Sequence, residues 1–115
     1  MSRIDEFNAF RERMNDLILS SGNRPIKRAF GLDTLTYQDG ALDARSKEML
    51  GLATSMVLRC DDCIAYHTLR CKELEVSDEE LFDIFSVALT VGGTIVIPHL
   101  RRAVALLEEW HGRQD

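Results

Sequence analysis

The feature that most constrains the fold of this chain is the spacing of its apolar residues, which is helical and is interrupted by only two prolines. The prolines are Pro25 and Pro98, so long stretches run without the residue type that breaks helices. Apolar residues recur with the period of a helix, and nowhere does a sustained alternating run predict a β-strand. We therefore predict an all-α protein with about six helices.

Capping and turn residues predict where these helices begin and end. Ser77-Asp78-Glu79-Glu80 has the form of a capping box, in which a serine and a glutamate three residues later satisfy each other's backbone amides. Gly92-Gly93 is expected to mark a close helix contact or a kink. The expected first residues or caps are Ser2, Pro25, Asp43, Cys60 and Ser77, and a last helix is expected to run to about Trp110, kinked or restarted at Pro98.

Length and charge narrow the class of protein. The 115 residues fit a single domain, 1–115, which we divide into a helical N-terminal extension, 1–38, and a core, 39–111. A net charge of −5 makes nucleic acid an unexpected partner, and no apolar run is long enough for a membrane span. The charged N-terminus predicts no secretory signal, and three cysteines do not form an even disulfide framework, so we expect a cytoplasmic protein.

The residues that indicate chemistry are Cys60, Cys63 and His67. If Cys60 starts a helix, Cys63 lies about one turn further along, close enough for the two sulfurs to bridge. His67 follows Cys63 by four residues, so the two side chains share a helix face. A helix N-terminus favours thiolate over thiol, while Asp61 and Asp62 oppose it. The pattern predicts a redox dithiol with an imidazole one turn away.

Two other interpretations of the cysteines stay open. His67 and Cys71 could complete a zinc site, although in one helix Cys60 and Cys71 would be about 16 Å apart along the axis, too far for a tetrahedral ion. The cysteines could also be inert and buried, which is the interpretation favoured for Cys71. We expect no bound metal and no cofactor.

Glu48 is the one carboxylate in the third helix whose position is ambiguous. It lies about 40° outside the apolar arc of that helix, so from the residues alone a solvated flank is favoured over the edge of a buried pocket. The later histidines, His99 and His111, have no partner that sequence names, and Arg102 is most simply part of a solvated face.

The assembled residues resemble the alkylhydroperoxidase D-like and carboxymuconolactone decarboxylase superfamily. The resemblance covers roughly residues 40–107 and is carried mainly by a glutamate twelve residues before the C-x-x-C-x-x-x-H pattern. It implies a helical fold built around a helical hairpin and assembled into homotrimers or homohexamers. It also implies that Cys63 attacks the substrate, that Cys60 resolves the product, and that Glu48 and His67 assist proton movement. Many members carry a histidine between the two cysteines, where this chain has Asp61 and Asp62.

The function implied by this resemblance is that of a thiol-dependent peroxidase or disulfide oxidoreductase with peroxiredoxin-type activity. Its expected partners are a small peroxide substrate and an external thiol or dithiol reductant. Two alternatives are kept: a decarboxylase acting on a small lactone acid, which has no need of two thiols, and a non-enzymatic redox sensor.

Overall fold

All regular structure in the described part of the chain is helical. The computed structural model describes residues 2–114, so Met1 and Asp115, the ends of the predicted domain, lie outside it. The elements are α1 (Arg3–Ser20), α2 (Arg24–Thr36), α3 (Ala44–Val57), α4 (Asp61–Glu73), α5 (Asp78–Gly92), a 3₁₀ turn (Thr94–Val96) and α6 (Ile97–Gln114). None of these helices is long and apolar enough to cross a membrane. The prediction of an all-α fold with six helices is confirmed.

Two compact units divide the chain, Met1–Gln38 and Asp39–Asp115. The first unit is the helix pair α1 and α2. Ser2 caps α1 by accepting the backbone N–H of Asp5, and Asn23 caps α2 in the same way, with Pro25 in its first turn. These caps explain why the chain leaves one helix after Ser20 and enters the next at Arg24.

Aromatic surface is prominent in the first unit. Phe10 is 64% exposed, and Phe7, Phe30 and Tyr37 are half-buried. We expect part of this surface to lie between subunits, because exposed apolar patches that several residues form together often mark interaction sites. That assembly remains a prediction.

The second unit contains Cys60, Cys63 and His67 and is built from α3 to α6. α3 packs against both α4 and α5, and α6 packs against α4. Three of these helices begin at a capping residue: Asp43 accepts the N–H of Ser46, Cys60 accepts that of Cys63, and Ser77 forms the predicted capping box with Glu80. Local hydrogen bonds therefore fix where α4 starts, which places Cys60 at its N-cap and Cys63 in its first turn.

The core of the second unit is drawn from all four of its helices. α6 contributes Ala103, Leu106 and Leu107, whereas Val104 of the same helix is 36% exposed. The cluster of buried apolar side chains consists of Leu52, Met56, Ile64, Cys71, Val76, Leu81, Ile84, Phe85, Ala88, Val96, Ala103 and Leu107.

Gly92 and Gly93 end α5 rather than kinking it. A Cβ at Gly92 would lie 2.6 Å from Cγ2 of Val96 and 3.7 Å from Cα of Val57, so the close contact expected there is confirmed. Gly93 has φ +84°, a conformation open to glycine at little cost. α6 then begins at Ile97, one residue before Pro98, and continues past the expected end at Trp110 to Gln114.

Candidate functional site

Cys60 and Cys63 lie at the start of α4 and are joined by a disulfide. Their Cα atoms are 5.3 Å apart, and the backbone N–H of Cys63 donates to Sγ of Cys60 at 3.2 Å. Cys60 is half-buried and Cys63 is exposed. Both sulfurs therefore lie where the free N–H groups of a helix terminus favour negative charge, and Cys63 is open to a substrate or a reductant.

A tight turn between α3 and α4 sets the position of the dithiol. The N–H of Arg59 donates to the carbonyl of Met56, and the N–H of Cys60 donates to that of Ser55. These two bonds form a Schellman motif, in which the residue after the C-cap is left-handed. That residue is Arg59, with φ 60°, where glycine is the usual choice. The same turn brings the end of α3 beside the start of α4.

Glu48 of α3 and His67 of α4 form a buried pair. Oε2 of Glu48 lies 2.7 Å from Nδ1 of His67, and the two side chains are only 3% and 10% exposed. The interpretation of Glu48 as a solvated flank, favoured by the residues alone, is wrong. The angle of Glu48 relative to the apolar arc of α3 does not decide its burial. A carboxylate can be buried when a neighbouring helix supplies a hydrogen-bond donor, and the sequence of α3 alone does not reveal that donor.

Arg70 is a residue of this site that sequence reasoning missed. Its Nε lies 3.9 Å from Oε1 of Glu48, and its guanidinium also pairs with Glu73. Arg70 follows His67 by three residues, so both side chains extend from one side of α4 toward the same carboxylate. That spacing after a candidate histidine was the available signal. The buried charge of Glu48 is thus offset from two directions.

His67 follows Cys63 by one helical turn. Residues four apart on a helix share one face, so Cys63 and His67 lie on the same side of α4. The carboxylate, the imidazole and the exposed thiol are therefore arranged from α3 through α4 to the surface. Such an arrangement is suited to taking a proton from a thiol and returning it to a leaving group.

Cys71 lies apart from this chemistry, in the core. It is fully buried, and this burial, together with the nearby charge of Glu48, raises the pKa of its thiol to about 12. A thiol with that pKa is not a nucleophile at neutral pH. Cys63 and Cys71 of the same helix thus differ in exposure, the first being open to solvent and the second fully buried.

α6 contributes a second group of polar side chains at the start of α4. Oδ1 of Asp61 lies 2.7 Å from Nδ1 of His99, and its Oδ2 accepts from Nη1 of Arg102 at 3.2 Å. The sequence named no partner for His99 and indicated a solvated position for Arg102, but both side chains contact Asp61, the residue that follows Cys60. The available signal was a histidine and an arginine three residues apart, placed on a helix after an acidic C-x-x-C pattern.

Known sequences match most of the chain. The sequence model of the Carboxymuconolactone decarboxylase family matches residues 27–108. The chain is 29% identical over 94 residues to "Uncharacterized protein 4 in cox locus" of Paracoccus denitrificans, which covers 81% of this chain and 85% of that protein. It is 28% identical over 78 residues to an uncharacterized protein of Cupriavidus necator, which covers 68% of this chain and 69% of the other.

Solved structures match the described fold. A Thermotoga maritima protein is 50% identical and superposes with a TM-score of 0.92 over 95% of this chain and 96% of that one. A second crystal structure of that protein, with a TM-score of 0.91, describes it as a carboxymuconolactone decarboxylase family protein with a possible involvement in antioxidative response. A family protein of Legionella pneumophila, at 24% identity and a TM-score of 0.73 over 91% of this chain and 96% of that one, supports the fold alone.

Proposed function

Because the chain belongs to the carboxymuconolactone decarboxylase family, we propose that it is a thiol-dependent peroxidase of the alkylhydroperoxidase-like kind, with Cys60 and Cys63 as its redox centre. One observation carries the proposal: a disulfide at an exposed helix terminus lies on the same helix as an imidazole that is held by a buried glutamate. The antioxidative description of the Thermotoga maritima relative agrees with this function.

The proposed cycle begins with the reduced dithiol. The Cys63 thiol gives its proton to His67, whose Nδ1 is held by Glu48 at 2.7 Å, directly or through water or Cys60. The thiolate attacks one oxygen of a hydroperoxide and the O–O bond breaks, which leaves a sulfenic acid on Cys63. The proton on His67 passes to the departing alkoxide or hydroxide and forms an alcohol or water. Cysteine sulfur is thereby oxidised by two electrons and the peroxide is reduced by two.

The remaining steps restore the dithiol. The Cys60 thiol condenses with the sulfenic acid to form the disulfide and release one water. An external thiol or dithiol then exchanges with that disulfide, returns two electrons and two protons, and leaves oxidised itself. Exposure of Cys63 supports this exchange, because an incoming thiolate must reach a sulfur atom in line with the S–S bond.

A homotrimer or homohexamer is the proposed assembly.

Single-cysteine variants test the assignment. We expect Cys63→Ser to abolish turnover of hydrogen peroxide and organic hydroperoxides with dithiothreitol as reductant. Cys60→Ser should still consume one equivalent of peroxide and accumulate a sulfenic acid on Cys63, detected by dimedone labelling and mass spectrometry. Cys71→Ala is the matched control, since its buried thiol takes no part, and it should retain turnover. Peroxide turnover by Cys63→Ser at the wild-type rate would remove the proposal.

The family name itself favours a second function, decarboxylation of a small lactone acid. That reaction has no use for a dithiol, so a Cys60→Ser/Cys63→Ser variant distinguishes the two. Decarboxylase activity that survives loss of both thiols would favour this alternative. Thiols that respond to peroxide without catalytic turnover would instead indicate a redox sensor.

A further inference from the structure

A carboxylate between the two cysteines works against the chemistry proposed for them. Asp61 directly follows Cys60 and is the first residue of α4. A negative charge near a thiol disfavours the thiolate, whereas the helix terminus favours it. The helix terminus can therefore stabilise a thiolate only if the negative charge of Asp61 is balanced by a positive group.

The structure offsets that charge with side chains from α6. Both oxygens of Asp61 are engaged, Oδ1 by His99 at 2.7 Å and Oδ2 by Arg102 at 3.2 Å. His99 is only 17% exposed at its side chain, whereas Asp61 and Arg102 are 45% and 55% exposed. The imidazole thus fixes the direction of the carboxylate, and the guanidinium supplies a permanent positive charge.

Packing holds these two donors in place. They lie three residues apart at the start of α6, so they share one face of that helix. Ala103, next to Arg102, is buried in the core, and α6 packs against α4. The contact with Asp61 therefore follows from the packing of two helices rather than from a chance encounter of flexible side chains.

We propose that His99 and Arg102 are positioning residues of the dithiol, acting through Asp61: they turn its carboxylate toward α6, neutralise it, and so allow the start of α4 to stabilise a cysteine thiolate. The inference rests on the proposed function only in that the dithiol passes through its reduced form. It assigns a role to α6 in a site whose other residues come from α3 and α4.

Other charged groups near the dithiol also influence the acidity of its thiols, and they are the same in the variants at positions 61, 99 and 102. Arg59 precedes Cys60, and Asp62 follows Asp61 with an exposed side chain. On the buried side, His67 of α4 is held by Glu48 of α3. Within residues 2–114, Asp62 makes no contact like that of Asp61, which makes it a matched acidic control one position away.

Thiol alkylation without any peroxide tests the inference. The reduced protein is alkylated with iodoacetamide between pH 5 and pH 10, and the rates at Cys60 and Cys63 are read by mass spectrometry. For Arg102→Ala we expect the apparent thiol pKa to rise by about half a unit, which slows alkylation at pH 6 about three-fold, a modest effect because the ion pair is half-exposed. His99→Ala should move the pH profile in the same direction. Arg101→Ala, the matched control, should leave it unchanged.

Dependence on Asp61 separates positioning from a general loss of charge. Asp61→Asn should shift the profile to lower pH, and Arg102→Ala added to Asp61→Asn should produce no further change. Asp62→Asn should shift the profile independently of Arg102. The inference is overturned if Arg102→Ala and Arg101→Ala give the same profile, or if the effects of Asp61→Asn and Arg102→Ala simply add. Arg102→Gln, which keeps most of the side chain, repeats the test should the alanine variant lose its helical circular dichroism.

Failure of the proposed function is distinguishable from failure of this inference. A wild-type protein that does not turn over peroxide, while Arg102→Ala still shifts the alkylation profile, would remove the peroxidase and leave the positioning role supported. Peroxide turnover together with an alkylation profile that Arg102→Ala does not move would overturn the positioning role alone. The glutathione concentration that half-reduces the disulfide provides a second readout, which we expect Arg102→Ala to shift.

Discussion

Breaking the pair of Glu48 and His67 should cost far more stability than removing both of its members. In His67→Leu the carboxylate of Glu48, which is 3% exposed, loses its hydrogen bond at 2.7 Å and keeps only Arg70 at 3.9 Å. Leaving a buried charge in this state costs about 3 kcal/mol, the low end of the range because Arg70 remains. At this chain length that corresponds to a melting temperature lower by about 12 °C.

The double variant Glu48→Met/His67→Leu should recover most of this loss. Methionine fills the volume of the glutamate and brings no charge into the core, so we expect stability within about 1 kcal/mol of the wild type. Peroxide turnover should stay at least about 100-fold reduced in both variants, because both lack the imidazole that takes the proton of Cys63 in the proposed cycle. The double variant should thus recover stability without recovering activity.

Urea unfolding of the oxidised protein, followed by circular dichroism at equal protomer concentration, measures both effects. His111→Leu is the matched control: His111 contacts Asp78 at 2.6 Å, but the two side chains are 51% and 44% exposed, so its loss should cost less than about 1 kcal/mol. The reasoning is refuted if His67→Leu is as stable as His111→Leu, or if the double variant is no more stable than His67→Leu.

Three further predictions concern the rest of the fold. The hydrogen bond from Arg45 lowers the pKa of Glu80 to about 2. The ionised carboxylate therefore stabilises the fold above its ordinary pKa, and this stabilisation should be lost as the pH falls from about 4.5 to 2. In Glu80→Gln the urea midpoint should decrease less over this pH range than it does in the wild type. Cys71 should react with a thiol reagent only after unfolding, which gives two reactive thiols in the reduced native protein and three in denaturant. Gly92→Ala should destabilise by about 1–3 kcal/mol through its 2.6 Å contact, whereas Gly31→Ala, with open space around it, should stabilise by up to about 1 kcal/mol.

Each of these predictions has an outcome that contradicts it. An unchanged acid profile in Glu80→Gln would mean that the ion pair with Arg45 does not persist in solution. Labelling of Cys71 as fast as that of Cys63 in the native protein would place its thiol outside the core. A Gly92→Ala variant as stable as Gly31→Ala would show that the end of α5 relaxes without loss of packing.

The helix starts could be predicted because their signals are local. Ser77 and Glu80 satisfy each other's backbone groups within four residues, and Asp43 caps α3 over the same distance. The disulfide between Cys60 and Cys63 is local in the same sense, since a helix start brings residues three apart within bridging distance. Spacing alone therefore indicated these features.

The partners of the site residues could not be predicted from the residues themselves because they come from other helices. Glu48 meets His67 across nineteen positions, and Asp61 meets His99 across thirty-eight. Whether a carboxylate is buried or solvated depends on which donor a neighbouring helix presents to it, and helix periodicity carries no such information. Only the resemblance to a family favoured a site position for Glu48, and the spacing of His99 and Arg102 did not identify Asp61 as their partner.

Two pairs of carboxylate and imidazole now flank the cysteines along α4, and their surroundings suit them to different tasks. Both have an O···N distance of 2.7 Å, but the carboxylate of one is 3% exposed and that of the other is 45% exposed. A buried pair exchanges a proton without competition from water, whereas a half-exposed pair balances charge and tolerates change. Substitution of His67 alone should therefore lower turnover and stability together, whereas substitution of His99 or Arg102 should alter thiol acidity while the fold persists.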